Sequence, residues 1–135
     1  PALVHTMPDP FLARCEKILE GNDPLARDSV LSHVSQLDSP KALALAVRGF
    51  SRFSSFHRAV GIAPVLAPLM PASDVSALIR RSVAHESPSL RFRAIEWLLP
   101  LVDPRSAREL ATEALVDEPD EGLRRALQRV VDLGA

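Results

Sequence analysis

The chain has 135 residues, 47% of them apolar and 24% charged, with sixteen basic against seventeen acidic side chains and a formal net charge of −1. That is enough chain for one domain with a real core, and a pI near 6.5 argues against the strongly basic footprint of a duplex-binding protein. Arg48, Pro64, Pro68 and Glu96 break the apolar runs, no basic segment leads into an apolar core, and Cys15 stands alone; a soluble, cytoplasmic protein without membrane span, secretory leader or disulfide framework is therefore expected.

Tyrosine is absent and aromatic residues make up only 4% of the chain, while Ala, Leu and Arg are abundant, a composition suited to helices rather than sheets. Asp9-Pro10 opens a first predicted helix near 10–20: the carboxylate caps the free amides of the first turn, and Pro takes the first helical position, where its missing N–H costs nothing. Phe11, Leu12, Cys15, Ile18 and Leu19 then form one apolar stripe, and Gly21 follows as a C-cap. Asp23-Pro24 opens a second helix near 25–37. A third, near 41–53, is apolar nearly all round and suits an element buried between neighbours. A fourth, near 56–69, carries Pro64, which removes one backbone hydrogen bond and predicts a kink. The fifth, near 74–85, has the stripe Val75, Leu78, Ile79, Ser82 and Val83. A sixth, near 89–101, is bent or ended by Pro100. The seventh, near 105–116, opens on Asp103-Pro104 and carries Ala107, Leu110, Ala111, Ala114 and Leu115 on one face. The eighth, near 121–133, follows an acidic run, Asp117–Glu121, expected to serve its N-terminus. No segment alternates with period two, so no strand is expected.

Proline falls at regular intervals, and four segments align on an arginine: Arg27, Arg58, Arg93 and Arg125, spaced 31, 35 and 32 residues apart. Each unit reads as helix, short turn, second helix and polar break, which is the grammar of a repeat array. The segment Pro88-Ser89-Leu90-Arg91-Phe92-Arg93-Ala94-Ile95-Glu96-Trp97-Leu98 resembles the first helix of a HEAT repeat, in the short form of bacterial and phycobilisome-lyase-like arrays. Asp103-Pro104-Arg105-Ser106-Ala107-Arg108 resembles that family's turn into the second helix. The resemblance extends over 86–134 and 55–85 and is looser over 8–54; Gly49–Phe56 matches no consensus unit.

The resemblance implies an all-α, right-handed superhelix of about eight helices, in which second helices line a concave surface that grips a protein or peptide and sometimes nucleic acid. The expected organisation is one domain over 1–135, with a half repeat at 1–21, repeats at 22–54, 55–86 and 87–117, and a half repeat at 118–135. Ends that fall in mid-repeat suggest either a piece of a longer protein or half repeats that act as caps.

Charge is uneven along the chain. Residues 41–102 carry eight basic and three acidic side chains, whereas both flanks are acidic. Arg48, Arg52, Arg80, Arg81, Arg108 and Thr112 fall on solvent-facing positions of the second helices and are the candidate partner-binding residues. They form either a basic centre able to hold an acidic peptide or an ordinary solvated helix face. A protein or acidic peptide is the expected partner, which could also be another domain of the same chain. A second copy meeting the open ends is a further candidate. A nucleic-acid-binding or DNA-repair-type module is the alternative, with Glu96 beside the lone Trp97 as its carboxylate. Trp97 itself is expected to be a core or inter-repeat anchor.

No enzyme, metal or cofactor is expected. His5, His33, His57 and His85 include no i, i+4 pair, no Gly-x-Ser-x-Gly elbow or phosphate-binding glycine loop occurs, and Cys15 lies on an apolar stripe as a small hydrophobe. His85 is expected to serve a helix C-terminus. Phe50, Phe53 and Phe56 form either an inter-repeat packing ridge or, if exposed beside Arg52, an interaction hot spot.

Overall fold

Small polar side chains determine where the helices begin. In the computed structural model, which describes residues 9–133, the chain forms α1 (Asp9–Glu20), α2 (Pro24–Val34), α3 (Pro40–Gly49), α4 (Phe56–Leu66), α5 (Ala72–Val83), α6 (Pro88–Arg93), α7 (Pro104–Leu115) and α8 (Glu121–Leu133). No strand occurs among the described residues, and no helix among them is long and apolar enough to cross a membrane. His5 and the side chain of Asp9 lie outside what is described.

Asp23 accepts hydrogen bonds from the amides of Leu25 and Ala26 at 3.1 and 3.2 Å. Ser39, Ser55 and Ser87 each accept from the amide three residues on, as do Asp103 and Asp120. Proline follows the cap in α2, α3, α6 and α7, where its fixed φ is already helical. Caps of the even helices stand at 23, 55, 87 and 120, spaced 32, 32 and 33 residues apart. The residues before the odd helices stand at 39, 71 and 103, spaced 32 and 32. Pro71 is the exception in kind, since it offers α5 no side-chain cap.

This period corrects the arginine alignment. Measured from their caps, Arg58, Arg27, Arg125 and Arg93 stand at four different positions. The equivalent residues are Arg27, Ala59, Arg91 and Arg124, four places after each cap. Their shared task is visible in the hydrogen bonds. Arg27 donates to the Gly21 carbonyl at 2.8 Å, Arg91 to those of His85 and Glu86 at 3.0 Å, and Arg124 to those of Leu115 and Glu118 at 2.8 and 3.0 Å. Each guanidinium covers carbonyls that the end of the preceding odd helix leaves unpaired.

The chain divides into two compact units, residues 1–69 and 70–135. In the first, α1 packs on α2 and α3, α2 on α3 and α4, and α3 on α4, so odd helices lie against odd and even against even. Leu19, Leu31, Val34, Leu45, Val60 and Leu66 fill the core. Gly49 lets α3 approach closely: a Cβ there would lie 2.9 Å from Leu31 Cδ2 and 3.3 Å from Leu19 Cδ1. Buried Asp28 reaches from α2 to accept the amides of Ser54 and Ser55 at 2.8 and 3.1 Å, which fixes the chain as it enters α4.

The second unit repeats the scheme, with α5 packed on α6 and α7, and α7 on α8. Val75, Ile79, Leu90, Leu98, Leu110 and Leu127 are its core. Its counterpart of the Asp28 tie is ionic: Arg91 Nε meets Glu118 Oε2 at 2.9 Å, with both side chains buried. The acidic run before α8 thus divides its labour. Asp120 caps the helix, while Glu118 faces inward and accepts the Asp120 amide at 3.0 Å.

Several expected boundaries move. Helix α2 stops at Val34; α3 gives way at Gly49 to a 3₁₀ turn, Phe50–Arg52, and α4 at Leu66 to another, Ala67–Leu69, two residues beyond Pro64. Phe50 and Phe53 meet edge to face, centroids 5.7 Å apart, and all three phenylalanines of that segment are half-buried. Gly21 closes α1 through an amide bond to the Ile18 carbonyl and without a left-handed φ. His85 acts in the turn after α5, where its Nδ1 accepts the Ser87 amide at 3.0 Å.

One cap carries a pH prediction. Hydrogen bonds from the Ser106 hydroxyl and amide hold the exposed Asp103 carboxyl below the usual carboxylate range. Its folded pKa therefore lies under the unfolded value of about 3.9, so its contribution is complete above that value and disappears as pH falls through the folded one. An Asp103→Ala chain should be less stable than the parent near neutrality, and the two denaturation curves should converge in strong acid.

Candidate functional site

The six candidate residues sit on odd helices or just after them, as helical phase requires. Arg48 on α3, Arg80 on α5 and Thr112 on α7 recur at 32-residue intervals and are exposed, and Glu16 on α1 stands 32 residues before Arg48. One position of the repeat thus carries acid, base, base and hydroxyl. Arg48 and Arg52 belong to the first unit; Arg80, Arg81, Arg108 and Thr112 belong to the second.

In the first unit the Arg48 guanidinium pairs with Glu16 at 3.3 Å, the two side chains being 67% and 49% exposed. Arg52 donates to the Gly21 carbonyl at 3.0 Å, sharing that oxygen with Arg27. Glu16, Glu20, Arg48 and Arg52 line a shallow cavity of about 150 Å³ between α1 and α3. Its walls therefore carry both signs of charge.

In the second unit Arg80 Nε donates to Glu113 on α7 at 3.1 Å. That hydrogen bond, and the carboxylate's charge, raise the guanidinium pKa above its ordinary value. Thr112 turns its hydroxyl back to the Arg108 carbonyl at 2.7 Å, satisfying itself within α7. Arg108 is half-buried, while Arg81 is exposed and engaged. The expected basic centre is thus partly compensated, because Arg48 and Arg80 each face a glutamate on the neighbouring odd helix. Spacing along one helix could not reveal partners 32 and 33 residues away.

A second surface was concealed by an assumption about helical phase. At 3.6 residues per turn Trp97 falls on the stripe of Leu90 and Ala94 and should be buried. It is 45% exposed instead, with Phe92 at 48%. The cause is a π turn, Ala94–Leu98, followed by a 3₁₀ turn, Leu99–Leu101. Underwinding brings the period close to four: the buried pairs are 90–91, 94–95 and 98–99, while Phe92, Glu96 and Trp97 lie exposed between them and Pro100 and Leu101 beyond the last. The Arg93 guanidinium lies over the Trp97 ring, 5.3 Å from its centroid, an attraction between the cation and the negative ring face. π turns are frequent at functional positions, and exposed Trp beside Arg has the composition of an interface hot spot.

Cys15 is buried beneath α2, and burial pushes its thiol pKa up, away from the thiolate that a nucleophile needs. Phe11 packs edge-on against His33 at 6.1 Å. No group of three or more His, Cys, Asp or Glu side chains is arranged to hold a metal ion among the described residues. Comparison of the chain with protein-family models, with curated proteins and with solved structures gives no match in any of the three.

Proposed function

We propose that this chain is a non-catalytic scaffold, an α-solenoid of HEAT-like repeats that binds a protein or acidic peptide along the face of its odd helices. The observation that carries the proposal is the 32-residue recurrence of capped helix pairs, which offers Arg48, Arg80 and Thr112 from the same place in successive repeats. Repeat arrays bind partners through residues that recur in this way. The ion pairs suggest how a peptide would enter. Arg48–Glu16 and Arg80–Glu113 are exposed on both sides, so a carboxylate of the ligand exchanges with a carboxylate of the chain at little net cost. Buried Asp28, Arg91 and Glu118, by contrast, are engaged in ties between helices and turns, which favours a binding role over a catalytic one.

Fluorescence anisotropy with a labelled glutamate-rich peptide tests the assignment. The Arg48→Glu/Arg80→Glu chain should bind roughly tenfold or more weakly than the parent, as like charges then face each other. Unchanged affinity removes this face from consideration. The same titration with duplex DNA separates the nucleic-acid reading, because phosphate binding would be tight at low salt and weaken steeply as salt is added.

A further inference from the structure

We propose that the exposed stripe on α6 and its π turn is a two-fold interface between two copies of this chain, closed by Phe92, Arg93, Glu96 and Trp97. The inference rests on the order of residues along the stripe and not on the scaffold reading of the odd helices. Along the helix the residues run exposed aromatic, half-buried cation, two buried residues, exposed anion, exposed aromatic. That order is a chemical palindrome. When two such helices lie antiparallel about a dyad, the placement that sets Arg93 against Glu96 of the second copy also sets Phe92 against its Trp97, since both pairs share one midpoint between residues 94 and 95. Flanking residues continue the match, with Pro88 falling opposite Leu101. A two-fold contact must be self-complementary in this way, whereas a stripe made for a foreign partner has no reason to be.

The local geometry fits. The Arg93 guanidinium lies over the Trp97 ring, and with five N–H donors it still has donors to offer a carboxylate. Glu96 is exposed and makes no ion pair among the described residues, so the dimer supplies a partner for its charge. The π turn, Ala94–Leu98, adds a residue to the turn and so narrows the angle around the helix between residues 92 and 97. Phe92 and Trp97 together bring the aromatic area that interface centres favour. A formal net charge of −1 offers little repulsion to association. The stripe is short beside a standard interface of about 800 Å² per partner, so the dimer is weak and depends on concentration.

Sedimentation equilibrium of the full chain over a wide concentration series tests this. The parent's mass should rise towards that of a dimer, and the emission of Trp97, the sole tryptophan, should shift to the blue in step. Arg93→Glu and Glu96→Arg should each raise the dimer dissociation constant about tenfold or more, with circular dichroism unchanged. An equimolar mixture of the two variants should associate again as a heterodimer, because opposite charges then meet across the dyad; this gain cannot arise from misfolding. A parent that stays monomeric throughout overturns the proposal and leaves the stripe to a helix of another protein. A dimer indifferent to both reversals and to Trp97→Ala also overturns it.

Discussion

Glu118→Ala is expected to destabilise the second unit by about 3–5 kcal/mol, the range for breaking one side of a buried ion pair. The two side chains are 10% and 2% exposed and meet through Arg91 Nε at 2.9 Å. The loss comes mainly from what remains. Arg91 still donates to the carbonyls of His85 and Glu86, so its guanidinium stays where it is, buried and uncompensated. The Asp120 amide loses its acceptor as well, and with it part of the geometry that presents Asp120 as the cap of α8. Glu118→Gln should fall between, since an amide oxygen can accept both hydrogen bonds but cannot balance the charge. Urea denaturation reads the difference as a shifted midpoint at similar slope. An exposed pair such as Arg48–Glu16 provides the contrast, where Glu16→Ala should cost about 1 kcal/mol or less. Equal effects at the two sites would show that Glu118 is not held dry.

The same pair shows where sequence can be read and where it cannot. Helix starts are local chemistry: Asp23-Pro24, Ser39-Pro40, Ser87-Pro88 and Asp103-Pro104 each contain the cap and the residue that follows it, so the helices were legible. So was the exposure of Arg48 and Arg80, which follows from phase within one helix. The repeat spacing is legible but its register is not, because Arg93 and Arg125 resemble each other in local sequence whereas the caps pick out Arg91 and Arg124. The role of Glu118 was illegible for a different reason. An acidic residue just before a helix has a sufficient local explanation, and only a contact 27 residues away replaces it. Trp97 turns outward because a π turn, Ala94–Leu98, replaces the 3.6 period around it, and a single residue of underwinding is enough to rotate a core position to the surface.

Leu31→Ala is expected to cost the first unit about 2–5 kcal/mol, the range for removing a fully buried leucine from a core that relaxes only in part. Leu31 is fully buried and its Cδ2 packs against the bare Cα of Gly49 on α3. That contact makes the two positions interdependent. Gly49→Ala alone places a methyl 2.9 Å from Leu31 Cδ2, an overpacking of about 1–3 kcal/mol set against a gain in helix propensity of about 1 kcal/mol. In the Leu31→Ala background the same methyl enters the vacated space, so its penalty should vanish or reverse. The double variant should therefore be more stable than the sum of the single changes implies, by about 0.5–3 kcal/mol, as residues in contact allow. Thermal and urea unfolding of the four chains measure this coupling directly. Strict additivity would mean that α3 does not rest on Leu31 at Gly49, and that its close packing there depends on Leu19 of α1 instead.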